Sequence, residues 1–382
     1  MAAGHRTRVL IVDDSAVMRS LLRSVITADA SLEVAGTAAD GASALNSLTM
    51  LRPDLILLDV EMPVMDGLVT LSELRRRGHK MPVIMCSSLT QRGAKVTLEA
   101  LAGGASDYVT KPAGQANREA AMRALGQDLG PKIHALTGRD TGQNPGQRQP
   151  QAVFPGLPRS ARFSPVMQPR TQAITSIPAV LAIGVSTGGP AALELLLPAL
   201  PANFPLPVLI VQHMPELFTR LFAERLDGRC KLRVREAAEG DQVRAGAISI
   251  ARGNWHLEVL AAARAGSPHS LHLTQGPLEN HCRPAVDVLF RSVAAVYGPG
   301  ALAVVLTGMG SDGMAGCRVI REQGGAVLAQ DQASSTVWGM PGAVANTGLA
   351  NKVLSLNDII PEILRLASRT HSEARELRES VV

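Results

Sequence analysis

The sequence predicts an α/β protein made of two doubly wound parallel-sheet domains joined by a flexible linker. Three observations predict this. Short apolar runs alternate with segments of helical period over residues 8–129, the same alternation resumes at residue 177, and between the two the apolar period disappears. At 382 residues, with 46% hydrophobic and 19% charged side chains, the chain is long enough to bury two ordinary cores. Aromatics contribute only 3%, so those cores must be built from Ala, Val, Leu, Ile and Met.

In the first domain, RVLIVDDS (8–15) reads as a buried strand ending in acids. The segment 16–28 follows as a helix, with Val17, Leu21, Leu22 and Val25 at helical spacing. LEVAGTA (32–38), DLILLDV (54–60), PVIMCSS (82–88) and DYVTKP (107–112) read as further strands, with helices over 42–51, 67–77, 95–102 and 117–129. A parallel sheet built this way gathers the carboxyl ends of its strands at one edge, where ligands and reactive groups collect.

From about residue 126 to 176 the chain is dominated by Gly, Pro, Gln, Arg and Thr, as in GRDTGQNPGQRQPQ (138–151), and reads as a tether. The second domain offers strands at 179–185, 207–213, 247–251, 269–274, 301–308 and 325–331. Its helices are expected over 191–200, 216–226, 285–295, 313–323 and 358–367. The charged residues after Ser368 are expected to fray. The expected division is therefore domains at 1–125 and 177–368, a linker at 126–176 and a tail at 369–382.

Composition excludes several classes. The net charge of +5 is small for this length, and no compact helix-turn-helix or basic aromatic stripe is present, so nucleic acid is not an expected partner. Cys86, Cys230, Cys282 and Cys317 lack metal-ligand spacing and read as reduced thiols of a cytoplasmic protein. The apolar run after MAAGHRTR is broken by Asp13 and Asp14, which does not suit a signal peptide. The most apolar long window, 193–211, contains Pro198, Pro201, Pro205 and Pro207, which exclude a membrane-spanning helix.

The strand ends of the first domain carry Asp13, Asp14, Asp59, Ser87 and Lys111. Three converging carboxylates repel one another unless a cation joins them, and Mg²⁺ suits oxygen ligands. A carboxylate beside Mg²⁺ can attack a phosphoryl group, with Lys111 and Ser87 holding the transferred oxygens. Any one acid at a strand end is commonly solvated by chance; five groups in this order are not. On these residues, 8–125 closely resembles a response-regulator receiver domain, which implies a flavodoxin-like fold. The resemblance implies Asp59 as phospho-acceptor, a histidine kinase as phosphodonor, and Mg²⁺ on Asp13, Asp14, Asp59 and the Glu61 backbone carbonyl. It further implies that Ser87 and Lys111 sense the phosphoryl group and that Tyr108 moves on activation.

In the second domain GVSTGGP (184–190) sits between an apolar run and a helical segment. Glycines there allow a sharp turn, and the helix start offers unpaired N–H groups, so Ser186 is the candidate acyl-transfer nucleophile. Such a nucleophile needs a base and an orienting acid. His213 ends the strand PVLIVQ on the same edge, with His281 as rival. Asp312 lies in the glycine-rich TGMGSDGM (307–314), where a backbone N–H near Met309 would face the oxyanion; Asp331 and Asp287 are alternatives. A thiol nucleophile at Cys282 is disfavoured, since neighbouring His281 and Cys282 should point apart.

GVSTGGP, VQHMP, HCRPAVDVLF, LTGMGSDG and AQDQASSTVWGMPGAV together resemble the catalytic domain of the chemotaxis protein-glutamate methylesterases. The resemblance covers nearly everything outside the linker and tail. It implies a Rossmann-like α/β serine hydrolase domain with Ser186 as nucleophile, His213 as general base, Asp312 as orienter and the Met309 N–H in the oxyanion hole. The implied substrates are glutamyl methyl esters, and certain glutamines, on chemoreceptor helices, with no cofactor for the ester step. A receiver-regulated esterase of small molecules would instead need a deep apolar pocket, and a scaffold with a degenerate site is disfavoured by the presence of all three candidates Ser186, His213 and Asp312.

Overall fold

The computed structural model describes residues 6–112, 117–138, 174, 176–264 and 266–379, with side chains through residue 369. The linker expectation for 139–173 and most of the tail expectation lie outside these residues or their described side chains.

The first domain runs β1 (Thr7–Val12), α1 (Ala16–Thr27), β2 (Leu32–Ala38), α2 (Gly41–Leu51), β3 (Leu55–Asp59), α3 (Gly67–Arg76), β4 (Val83–Ser87), α4 (Gln91–Ala102), β5 (Asp107–Thr110) and α5 (Arg118–Leu136). Its sheet has the order β2-β1-β3-β4-β5 with every pairing parallel. The central strands are buried on both faces, as Val9–Val12 and Leu55–Leu58 at 0–1% exposure require of a doubly covered sheet. All five helices are capped by a side chain: Ser15, Asp40, Asp66, Thr90 and Asn117 each accept an N–H three residues on. Each such cap stabilises its helix by about 1 kcal/mol.

The second domain runs β6 (Val180–Val185), α6 (Gly189–Leu196), β7 (Val208–Gln212), α7 (Glu216–Asp227), β8 (Arg233–Glu236), β9 (Ala247–Ile250), β10 (His256–Leu260), β11 (Ser270–Thr274), α8 (Val286–Tyr297), β12 (Ala301–Val305), α9 (Met314–Glu322), β13 (Ala326–Gln330), α10 (Met340–Asn346), β14 (Lys352–Leu354) and α11 (Leu356–Glu379). Seven strands form a parallel sheet in the order β14-β13-β12-β6-β7-β9-β8, and β10 and β11 form a separate antiparallel pair. Here the caps differ in kind. α6, α9 and α10 start from Gly188, Gly313 and Gly339 with no capping side chain, which leaves their first N–H groups free of one.

Two helices run past the boundaries expected from the sequence. The boundary at residue 126 falls inside α5, which continues to Leu136 through Pro131 because Leu129 and Ile133 are fully buried against the first sheet. α11 runs past Ser368 to Glu379. The strand expected at 269–274 is β11, which pairs antiparallel with β10 and stands outside the parallel sheet, as a peripheral strand does.

The two domains share one apolar cluster. It runs from Leu98, Leu101 and Tyr108 of the first domain to Leu193, Phe218 and Leu221 of the second. α4 packs against both α6 and α7.

Candidate active site

Ser186 immediately follows β6. Its N–H donates to Thr307 O at 3.0 Å, so the serine is pinned to the end of the neighbouring strand β12. Gly188 adopts φ 77, which turns the chain into α6; a side chain there would collide with Thr336. The opposite wall is equally close: a Cβ at Gly308 would come within 2.9 Å of Ser186 Cβ. This turn is braced from behind. Thr307 Oγ1 donates to Thr187 O at 2.9 Å, Val337 N donates to Thr307 Oγ1 at 3.0 Å, and Gly339 and Met340 donate their N–H to Gly308 O. The segment AQDQASSTVWGMPGAV is thus the support for 307–309.

His213 follows β7 on the same sheet edge, its N–H on Val185 O at 3.3 Å. Its Nε2 lies 2.8 Å from Asp312 Oδ2. An ionised carboxylate only accepts, so Nε2 carries the proton and Nδ1 is the basic nitrogen. Asp312 is 2% exposed and fully satisfied. Its Oδ2 also accepts Val286 N–H at 2.7 Å, and its Oδ1 accepts from Asp287 N, Gly313 N and Asn280 Nδ2 at 3.0, 2.9 and 2.9 Å.

The electrostatics follow from these contacts. Burial disfavours the Asp312 carboxylate, but the imidazole and the N–H donors outweigh it and its pKa is lowered. Burial likewise disfavours the His213 imidazolium, and the bonds to Asp312 and Cys282 outweigh that, so its pKa is raised above 6.5.

Ser186, His213 and Asp312 therefore all lie past the carboxyl ends of their strands, β6, β7 and β12, on one sheet edge, and His213 and Asp312 are hydrogen-bonded there. Ser186 Oγ makes no hydrogen bond among the described residues, and the atom nearest His213 Nδ1 in hydrogen-bonding terms is Cys282 Sγ, at 3.6 Å. The Met309 N–H likewise finds no acceptor among the described residues and is free to donate.

The rivals separate cleanly. His281 is exposed, with φ 62. Asp331 caps its own turn through Ser334. Asp287 is buried beside Asp312 and bonds Gly316 N and Asn280 instead of a histidine. The sequence did not single out Asn280 or the approach of Cys282 to His213; the stretch ENHCRPAVDVLF held both without ranking them.

In the first domain, Lys111 Nζ lies 2.7 Å from Asp59 Oδ2 and 2.8 Å from Asp13 Oδ2. Burial raises the Asp59 pKa to about 6, against the pull of Lys111 and with the help of Asp13. Burial works against the Lys111 ammonium, but Asp13 and Asp59 outweigh it and its pKa is raised. Ser87 is buried and donates to Ser88 O at 3.2 Å. Asp13, Asp14 and Asp59 each offer a carboxylate oxygen within 4.8 Å of the others. Asp13 Oδ2 is buried and, despite its ion pair, receives no properly directed hydrogen bond, which leaves a lone pair for a cation. This oxygen-only donor set fits Mg²⁺. The Glu61 side chain is turned toward Arg92, and its N–H lies 3.4 Å from Asp59 Oδ1.

Comparison with known proteins places the chain among characterised sequences. The sequence profile described as CheB methylesterase matches residues 181–363, and that of the response regulator receiver domain matches residues 9–123. A protein-glutamate methylesterase/protein-glutamine glutaminase of Nocardioides sp. is 49% identical over 366 residues, covering 95% of this chain and 96% of that protein. One of Trichodesmium erythraeum is 47% identical over 358 residues, covering 94% and 98%. The chain belongs to this family. A crystal structure of the Thermotoga maritima CheB methylesterase catalytic domain is 39% identical, covering 50% of this chain and 98% of that one at a TM-score of 0.48.

The enzyme is thus a protein-glutamate methylesterase/glutaminase with a receiver domain. Its receiver lies against the sheet edge that bears Ser186. Thr187, next to Ser186, donates to receiver Asp107 Oδ2 at 2.6 Å. Tyr108 stacks on Phe218 of α7 with ring centroids 4.6 Å apart and planes 15° off parallel. Lys132 of α5 backs this contact, its Nζ 5.3 Å from the Tyr108 ring centre and donating to Tyr108 O at 2.7 Å. No helix among the described residues is long and apolar enough to cross a membrane.

Proposed function

We propose that this enzyme demethylates glutamyl γ-methyl esters, and deamidates glutamines, on the cytoplasmic helices of chemoreceptors, with Ser186 as nucleophile and phosphorylation of Asp59 by a histidine kinase as the activating signal. The observation that carries the catalytic part is the His213 Nε2–Asp312 Oδ2 bond of 2.8 Å, on the sheet edge that also bears Ser186.

The chemistry follows from those atoms. His213 Nδ1 takes the hydroxyl proton as Ser186 Oγ attacks the ester carbonyl, and the proton passes to the departing methanol. Water then cleaves the acyl-enzyme and leaves a receptor carboxylate; with a glutamine substrate, ammonia leaves in place of methanol. Asp312 holds the working tautomer and steadies the imidazolium. The Met309 N–H stabilises the oxyanion, a contribution of about 3–4 kcal/mol for a donor of this kind.

Regulation is read from the same edge. A receptor helix needs an open approach to Ser186, and the Asp107–Thr187 bond and Tyr108–Phe218 stack hold the receiver against it. Mg²⁺ on Asp13, Asp14, Asp59 and the Glu61 carbonyl would neutralise the charge gathered there when a phosphoryl group arrives. Ser87 and Lys111 would then hold the phosphoryl oxygens, drawing Lys111 from its present partners and loosening β5. If the docked state dominates about 99 to 1, equalising the two states takes about 2.7 kcal/mol, an ordinary coupling.

The test is release of radiolabelled methanol from methylated receptor membranes, with and without a phosphodonor and Mg²⁺. Wild type is expected to accelerate with the donor. Ser186→Ala is expected to be inactive under both conditions while melting like wild type; esterase activity in that variant would remove the nucleophile.

A further inference from the structure

Asp312 and Asp287 are both buried, at 2% and 3% exposure, and share one donor: Asn280 Nδ2 lies 2.9 Å from Asp312 Oδ1 and 3.0 Å from Asp287 Oδ2. Two carboxylates in one dry place repel, and the ordinary relief is for the pair to bind a proton. An amide nitrogen with two N–H groups can serve both without adding charge. With carboxylates on both sides, the side chain has only this orientation, nitrogen toward the acids.

We propose that Asn280 is a positioning residue of the esterase reaction: its amide bridges the two buried acids and keeps the Asp312 carboxylate charged and aimed at His213. The inference rests on the reading that Ser186, His213 and Asp312 act together.

The backbone supports the assignment. Asn280 and His281 both have left-handed φ values, 51 and 62, a conformation asparagine adopts more readily than most residues. The turn is closed by Glu279 N to Cys282 O at 3.1 Å and Cys282 N to Glu279 O at 2.8 Å. It is anchored to α8 by the paired bonds of Arg291 to Glu279, both 2.6 Å. The same tight turn that aims Asn280 at the acids also brings Cys282 to His213. Asn280 is thus held in place before any substrate arrives, as a group that orients another must be.

Its effect on the acids follows. Asp287 is raised by burial and by the nearby Asp312 charge, and eased by Gly316 N–H and Asn280. Asp312 retains its backbone donors without Asn280 but loses the group that separates it from Asp287. The pair would then bind a proton at higher pH, and His213 would lose its anionic partner part of the time. The other titratable or charged groups facing the pair are His213 and Cys282, Glu279 with Arg291, and the buried Cys317 thiol of α9.

The test uses the full chain, methylated receptor membranes and a pH series. Asn280→Ala is expected to lower kcat about 10- to 100-fold with little change in KM, the usual loss for a residue that orients a catalytic group. The acid limb of its profile is expected to move to higher pH. Asn280→Asp keeps the shape but adds a third carboxylate, and is expected to be worse than alanine. Asp287→Asn added to Asn280→Ala removes the repulsion and is expected to recover most of the loss, a coupling that a purely structural role would not give. If Asn280→Ala fails to fold, Asn280→Ser with the same second change carries the comparison.

An unchanged kcat and pH profile in Asn280→Ala, or wild-type behaviour in Asn280→Asp, overturns the bridge. Parallel assays of Ser186→Ala and Asp312→Asn tell the two failures apart. If these lose activity and the Asn280 variants do not, only the bridge is wrong. If they keep activity, the triad falls and the bridge with it.

Discussion

Thr187 Oγ1 donates a 2.6 Å hydrogen bond to Asp107 Oδ2, so a receiver carboxylate grips the residue next to Ser186. Both groups are buried, and a hydrogen bond to a charged acceptor is worth about 1.5–3 kcal/mol. The contact joins two segments 80 residues apart and gives the regulatory reading its first test.

Asp107→Ala and Thr187→Val should each raise basal methylesterase activity about 10-fold or more, since about 1.4 kcal/mol is tenfold in the docked-to-free ratio. The phosphodonor should add correspondingly less. Basal rates equal to wild type in both variants would show that the bond does not restrain the enzyme. Removing residues 1–176 should raise the basal rate in the same way.

Asp59→Asn should fail to incorporate phosphate from an acyl phosphate and leave the basal rate unchanged, because the Asp59 partners among the described residues, Lys111 and the Glu61 N–H, belong to the receiver. Chelating Mg²⁺ should block activation of wild type in the same way and spare basal turnover. Phosphate incorporation into Asp59→Asn, measured with a radiolabelled donor, would place the acceptor elsewhere.

The pH profile tests the His213–Asp312 bond. Only neutral imidazole can take the Ser186 proton, so kcat/KM should rise with pH through the His213 pKa, which this bond helps to hold above 6.5. In Asp312→Asn burial is no longer opposed by the anion, so that limb should move to lower pH. The plateau should fall by about 10⁴-fold, as loss of the tautomer-fixing acid does elsewhere. A limb that stays in place would assign the raised pKa to another group.

Gly308→Ala probes the fit around the nucleophile. A Cβ there meets Ser186 Cβ at 2.9 Å and presses on the Met340 sulfur, so something must shift. Overpacking of this kind costs about 1–3 kcal/mol. Thermal melting should show that loss, and kcat should fall further than the melting temperature explains if, as proposed, the displaced atom carries the nucleophilic hydroxyl.

Much of this was legible in the sequence because strands buried on both faces must be apolar runs and their ends must be marked. β1, β3, β4, β6, β7, β12 and β13 are such runs, and Asp13, Asp59, Ser186, His213 and Asp312 follow from where they stop. What escaped lacked that signature. β8 (RVRE) alternates exposed and buried at a sheet edge, β14 has three residues, and α10 (MPGAVAN) is short and made largely of small residues. α5 passes through Gly130 and Pro131, which read as a stop until Leu129 and Ile133 are seen to be buried. Asn280 depends on two consecutive left-handed residues, and the Asp107–Thr187 bond on how two domains meet. Neither has a local period to betray it.

Strand β5 is four residues long, with Asp107 at its start and Lys111 just past its end. At about 3.3 Å per residue Lys111 and the grip on Thr187 stand roughly 13 Å apart on one extended segment. If Lys111 is drawn to a phosphoryl group as proposed, the pull runs along a single stretch of backbone to the neighbour of Ser186. Loosening that stretch, as by a glycine at Val109 in its middle, should slacken the linkage and leave a receiver that takes up phosphate yet hardly stirs its partner.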